Sequence, residues 1–134
     1  DGSFVGAEHN QRFESLNPEN NQPWATFPDA SESDVERSVQ SAKNAFNDHW
    51  SKTSVAERAK YLRAIGDKMF ENAELLGKTE SIDSGKLLKE TKFQSEYMKE
   101  YFYYYADLAE IFEVLEKMVL MYFFVVEILN SFYL

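Results

Sequence analysis

Apolar residues recur at helical spacing over most of this chain; only the first thirty residues break that rule. There, Phe4-Val5, Phe13-Glu14-Ser15-Leu16 and Trp24-Ala25-Thr26-Phe27 are short strand candidates. The run Asn17-Pro18-Glu19-Asn20-Asn21-Gln22-Pro23 joins the last two through turn-forming residues, so a small β-hairpin is expected. Beyond it, Val35, Val39, Ala42 and Phe46 repeat at 4-3-4 spacing, one stripe of an amphipathic helix ending near Trp50. Ser31-Glu32-Ser33-Asp34 opens that helix as a capping box with Asp in place of Glu. Ser54-Val55-Ala56-Glu57 opens a second helix, with its stripe at Leu62, Ile65, Met69 and Ala73. A third covers about Ala73 to Ser81, burying Leu75, Leu76 and Ile82, and Gly85 suits its stop. The fourth and longest starts near Lys86, striped by Leu88, Thr91, Ser95, Met98, Phe102, Tyr105 and Ala109, with Tyr101, Leu108 and Phe112 widening the stripe. The expected fold is mainly α with a short N-terminal β-hairpin. Three short helices and a long one can share a core, yet so wide a stripe asks for more neighbours than they provide.

Composition narrows the possible functions. The 134 residues suit one domain, and the absence of cysteine removes disulfides, thiolate metal sites and thiol nucleophiles. A net charge of −9 argues against nucleic acid, whose phosphates call for clustered Lys and Arg. Asp1-Gly2-Ser3-Phe4-Val5 has neither a basic nor an apolar leader segment, so no secretory signal and a cytoplasmic location are expected.

Candidate chemistry is thin. Gly77-Lys78-Thr79 looks like the end of a phosphate-binding loop, but position 72, where that loop needs glycine, is Asn. His9 and His49 are too far apart in sequence for a local metal pair, and His49 suits a helix end better. Neither a Gly-x-Ser-x-Gly elbow nor a Gly-x-Gly-x-x-Gly fingerprint occurs. Glu96 and Glu100 share a helix face, as pairs in an acidic chain often do by chance. Tyr101-Phe102-Tyr103-Tyr104-Tyr105 reads as packing with some surface hydroxyls rather than a base-stacking strip. No catalytic and no cofactor-binding residue is expected.

One ordered series of short strings adds a family. Phe13-Glu14-Ser15-Leu16-Asn17-Pro18, Ala30-Ser31-Glu32-Ser33-Asp34-Val35, Ala42-Lys43-Asn44-Ala45-Phe46, Trp50, Glu57-Arg58-Ala59, Leu62, Glu80-Ser81-Ile82-Asp83-Ser84-Gly85-Lys86 and Tyr104-Tyr105-Ala106 together resemble the amino-terminal part of the NAD(P)-dependent aldehyde dehydrogenase superfamily. The resemblance covers roughly residues 4 to 112. It implies a fragment of an α/β, Rossmann-like fold, with residues 1–112 as an N-terminal segment of the cofactor domain. It also implies a homo-oligomeric family that oxidises aldehydes to carboxylates with NAD or NADP. The family's cysteine nucleophile, glutamate base and dinucleotide-binding residues come later in its sequence, so this chain alone is expected to be inactive and to bind no cofactor. Many members hold a structural sodium or potassium ion. The matching positions here are Ser15, Leu16 through its carbonyl, and Asp83, an incomplete site. The helix around Tyr97 and Met98 matches one that borders the family's substrate tunnel.

The end of the chain departs from that pattern. After Ala109 the family would turn through a glycine into a strand hairpin, whereas residues 113–134 form an apolar tail with nothing of the family in it. Beyond Lys117 the only charge is Glu127. A shifted reading frame or an unspliced intron is the leading explanation, and an adapted tail the alternative. A membrane span is disfavoured, because spanning needs about 20 apolar residues and a carboxylate near the bilayer centre costs about 2.5–3.5 kcal/mol. Residues 118–134 are expected either to continue the long helix and fold back or to drive self-association, with self-association preferred. The competing functional expectation is a non-catalytic module that docks on a partner, or on a full-length relative, through acidic helices and the apolar tail.

Overall fold

A computed structural model describes the backbone of residues 4–132 and the side chains of residues 4–122. Two strands are followed by helices: β1 (Arg12–Asn17), β2 (Gln22–Pro28), α1 (Glu32–Asp48), a 3-10 turn (Trp50–Lys52), α2 (Val55–Glu71), α3 (Ala73–Ser84) and α4 (Leu88–Phe132). Mostly helical with an N-terminal antiparallel hairpin is therefore the observed class. Two compact units share these elements. One holds the chain up to Thr53 with Asn72–Glu96; the other holds Ser54–Glu71 with the chain from Tyr97 onward.

In the hairpin Phe13 faces Phe27 across the ladder, and their rings stack with centroids 5.7 Å apart. The turn is built by asparagines: Asn17 Oδ1 accepts from the Glu19 N–H at 2.9 Å, Asn20 Oδ1 accepts from the Gln22 N–H at 3.0 Å, and Asn21 takes φ 56°. Asn tolerates that left-handed conformation better than most residues do. A bulge between Ser15 and Leu16 shifts the register, so Leu16 faces Pro23. Phe4-Val5 lies outside both strands, a correction to the strand expected there; two residues before Gly6 are too short a run to repay pairing.

Helix ends follow their local chemistry. Ser31 Oγ accepts from the Asp34 N–H while Asp34 Oδ2 accepts from the Ser31 N–H at 2.9 Å, the reciprocal box predicted from sequence. Asp34 also accepts from the Glu8 N–H at 3.1 Å, and the Ser31 and Ser33 hydroxyls donate to Glu8. These bonds hold both carboxyls below their ordinary pKa: the Ser33 and Ser31 hydroxyls act on Glu8, the Ser31 and Glu8 amides on Asp34. Ser54 Oγ accepts from the Glu57 N–H at 3.2 Å at the start of α2. Gly85 ends α3 in the left-handed region, φ 73°, and its N–H donates to the Ser81 carbonyl. The long helix begins at Leu88, two residues later than expected, and continues unbroken to Phe132, so the tail extends α4.

Packing differs from the expected shared core. The buried apolar side chains among the described residues are Ala59, Ala73 and Ala106, and the buried polar ones Thr91 and Ser95. Val35, Val39 and Phe46 on the α1 stripe stay 41–55% exposed, as do Ile65 of α2 and Leu75 of α3 at 46% and 64%. Helices approach through small residues instead. In the first unit the Thr91 hydroxyl donates to the Gly77 carbonyl at 2.8 Å, and a Cβ on Gly77 would stand 2.7 Å from Lys92 Cα. In the second unit a Cβ on Gly66 would meet Phe102 Cβ at 3.1 Å and the Lys99 carbonyl at 3.3 Å. Close backbone approach explains both glycines. Among the described residues no helix is long and apolar enough to cross a membrane.

Candidate functional site

Ser15 and Asp83, far apart in sequence, meet between the hairpin and α3. The bulge re-aims β1 at this point, and Asp83 projects from the last turn of α3, which Gly85 then closes. Ser15 Oγ donates to Asp83 Oδ1 at 2.6 Å, and the Trp24 indole N–H lies 3.2 Å from both oxygens. Leu16 follows directly on β1 with its side chain exposed, opposite Pro23, which has no N–H to offer a ladder carbonyl. Of the three candidate ligands, two side chains are thus in direct contact and the third is their neighbour. Trp24 escaped the sequence reading as a participant; its place opposite β1 in the hairpin was the available signal.

A second polar constellation joins α2 to α4. The Arg63 guanidinium forks onto Glu110 Oε2 at 2.7 Å and Asp107 Oδ1 at 2.5 Å. One turn along, Lys99 Nζ pairs with Asp67 Oδ1 at 2.8 Å, and the Tyr103 hydroxyl donates to the same oxygen at 3.0 Å. Lys99 also lies over the Phe70 and Tyr103 rings, 5.5 Å and 5.1 Å from their centroids. The Lys99 ammonium and then the Tyr103 hydroxyl keep the Asp67 carboxyl below its usual range, and Arg63 does the same for Glu110. Asp67 in turn raises the pKa of Lys99 and of the Tyr103 phenol. This is a ladder of opposite charges that ties α2 to α4.

The remaining candidates settle into structural roles. Gly77-Lys78-Thr79 lies inside α3, where the Thr79 hydroxyl donates to the Leu75 carbonyl at 2.9 Å and Lys78 pairs with Glu74 at 3.1 Å. The His49 N–H closes α1 on the Ala45 carbonyl. Tyr97 meets Tyr101 edge to face, as Tyr104 meets Tyr105. Leu62, Met98, Tyr101, Phe102 and Tyr105 line an apolar hollow of the second unit. Among the described residues no group of three or more His, Cys, Asp or Glu side chains is placed to hold a metal ion.

Comparison with known proteins gives this arrangement a context. The sequence profile described as the aldehyde dehydrogenase family matches residues 4–120, which carries the family eight residues past 112, into the segment that was expected to hold nothing of it. The (Z)-2-((N-methylformamido)methylene)-5-hydroxybutyrolactone dehydrogenase of Acinetobacter baylyi is 38% identical over 103 residues, 76% of this chain and 21% of its own length. The peroxisomal aminoaldehyde dehydrogenase 1 of Pisum sativum is 38% identical over 121 residues, 87% of this chain and 24% of its own. Among solved structures, a point mutant of betaine aldehyde dehydrogenase from Staphylococcus aureus in complex with NAD+ superposes with a TM-score of 0.77 at 32% identity, covering 81% of this chain and 22% of that one. The chain therefore spans about a fifth to a quarter of the length of the relatives it matches.

Proposed function

The chain belongs to the aldehyde dehydrogenase family, and from that premise we propose that it serves as scaffold in the NAD(P)-dependent oxidation of an aldehyde to a carboxylic acid, in the cytoplasm, and performs none of the chemistry itself. The carrying observation is the character of its interior. Among the described residues the buried apolar side chains are three alanines, while large residues such as Phe93, Tyr101 and Tyr104 stay more than half exposed. A segment built this way finds its core against further parts of the fold. Its 134 residues also contain no cysteine to attack an aldehyde.

The described residues do not fit a dinucleotide. The sheet is a two-stranded antiparallel hairpin, and no glycine-rich turn leads from a strand into a helix N-terminus. The test is direct. Purified chain mixed with NAD+ or NADP+ and an aldehyde such as acetaldehyde should form no reduced nucleotide by absorbance. Turnover above background, in protein free of any longer relative, would overturn the scaffold reading.

Ser15, the Leu16 carbonyl and Asp83 belong to the same proposal as part of a monovalent cation site. Hard oxygen donors suit sodium or potassium, and a serine oxygen 2.6 Å from a carboxylate oxygen supplies two of them. When bound, the ion would neutralise Asp83 and tie β1 to α3; it takes no part in a reaction step. The expected result is a melting temperature higher in potassium chloride than in choline chloride of equal strength, with the difference lost in Asp83→Asn. Equal melting of the parent chain in both salts would remove the ion.

One observation favours a second reading, an interaction module. Ile111, Phe112, Val114, Leu115, Met118, Val119, Leu120 and Met121 on the distal part of α4 are each about half exposed or more. Self-association through residues 118–134 belongs to this reading; the side chains beyond Tyr122 lie outside the described residues.

A further inference from the structure

The bulge in the hairpin has its extra residue at Trp24. Pairing passes from Ser15 opposite Ala25 to Leu16 opposite Pro23, so the ladder skips Trp24. Successive side chains of a regular strand point to opposite faces, which would turn Trp24 away from the side of Ala25 and its partner Ser15. A bulge breaks that alternation and re-aims the side chain beside it. Here the half-buried indole is aimed at Ser15 and Asp83, its Nε1 3.2 Å from Ser15 Oγ and 3.2 Å from Asp83 Oδ1. Those two oxygens stand 2.6 Å apart. One N–H is thus shared by two acceptors from different elements, β1 and α3.

Most of the electron pairs at this point are engaged. A carboxylate oxygen offers two lone pairs, and Asp83 Oδ1 accepts the Ser15 hydroxyl on one and the indole N–H on the other. Ser15 Oγ shares the same N–H, which leaves it one lone pair of two. A cation bridging Ser15 Oγ and Asp83 Oδ1 needs a free pair on each oxygen, so a donor has to give way. The hydroxyl belongs to a ligand and only has to turn its proton aside. The indole hydrogen has to withdraw, because it brings partial positive charge to the same two oxygens that attract the cation. We propose that Trp24 competes with a monovalent cation for the Ser15–Asp83 pair, holding β1 to α3 by its N–H and setting how strongly the ion binds. This rests on the cation-site reading of Ser15, Leu16 and Asp83 and names the residue that limits that site.

Melting of the full chain and of Trp24→Phe, in potassium chloride and in choline chloride of equal strength, tests it. Phenylalanine keeps an aromatic ring in β2 and removes the N–H. In choline chloride Trp24→Phe should melt about 2–8 °C below the parent, the shift that loss of a hydrogen bond gives a chain of this size. Potassium should restore part of that loss, so its effect should be larger on the variant than on the parent. An indole that only packs, or an ion held by Asp83 Oδ2 beside an undisturbed indole, predicts an equal effect. An equal or smaller effect on the variant overturns the competition, while a parent that still melts higher in potassium keeps its ion. A response confined to the variant supports the competition and removes the ion from the parent; no response in either removes both. Should Trp24→Phe fail to fold, the parent decides through its indole N–H resonances. The chain has two tryptophans, and Trp50→Phe assigns the signal of Trp24. That signal should move progressively with potassium and stay fixed in choline, and Asp83→Asn should abolish the movement. A Trp24 signal unmoved by potassium, in a chain that melts higher in it, overturns the role of Trp24 alone.

Discussion

Gly77→Val is expected to destabilise the chain by about 2–3 kcal/mol, at the upper end of ordinary overpacking. A Cβ at this position would stand 2.7 Å from Lys92 Cα, 2.8 Å from its nitrogen and 3.0 Å from its Cβ. These are main-chain atoms and the root of a side chain, so rotamer changes cannot relieve the clash. Separation of α3 from α4 would also stretch the bond from the Thr91 hydroxyl to the Gly77 carbonyl, where Thr91 is fully buried. A longer bond there leaves a buried hydroxyl poorly satisfied, and that adds to the cost. Gly6→Ala is the internal control, because its Cβ would meet only Asn10 Oδ1 at 3.9 Å. Urea unfolding followed at 222 nm should show a lower midpoint for Gly77→Val and no change for Gly6→Ala. Equal midpoints for Gly77→Val and the parent would mean that α3 and α4 do not approach this closely.

The same glycine shows what was legible in the sequence. Local rules identified the elements well: the Ser31 capping box, the asparagine-rich turn, the left-handed Gly85 stop and the start of the long helix each depend on a few neighbouring residues. Period counting misjudged which face would be covered. It assigned Ile65 to the buried stripe of α2, whereas Ala59 and Gly66, seven residues apart on one face, are what the structure buries. Small residues carry little weight in a hydrophobic pattern, yet they decide where two backbones can touch. Long-range polar contacts had no local signature either. Arg63 with Asp107 and Glu110, and Asp67 with Lys99 and Tyr103, join segments more than thirty residues apart, and no spacing rule links them. The pairing of Ser15 with Asp83 was reached from sequence only through resemblance to a family, since a hydroxyl and a carboxylate so far apart are otherwise unremarkable in an acidic chain.

Acid should remove the order of the second unit, and Arg63 should report how. The carboxyls of Asp67 and Glu110 titrate below their ordinary values in the folded chain, through Lys99 and Tyr103 in one case and Arg63 in the other. A folded-state pKa below the unfolded one means stabilisation that is fully present above the unfolded value and lost as pH falls through the folded one. Glu74, lowered by Lys92 and then Lys78, and Asp34 and Glu8, lowered by hydrogen bonds, contribute in the same direction in the first unit. The raised pKa values of Lys68, Lys92 and Lys99 have the opposite sign: their stabilisation is lost only when pH rises through the folded ammonium range. Neutralising 23 acidic side chains also converts a chain of net −9 into one carrying 14 basic side chains and two histidines with nothing to balance them. Helix content should therefore fall cooperatively below the ordinary carboxylate range, near pH 4 and lower, where paired surface charges and global charge act together. Arg63→Met separates the two contributions. It keeps an apolar stem on α2 but removes the fork to Asp107 and Glu110, so it should unfold more easily than the parent at pH 7. That difference should shrink toward zero as pH falls through the folded carboxylate range, because protonated Glu110 no longer rewards the guanidinium. Added salt should narrow it at pH 7, since these side chains are partly exposed and screened. A stability difference between Arg63→Met and the parent that stays constant from pH 7 to pH 3 would show that Arg63 acts by packing alone.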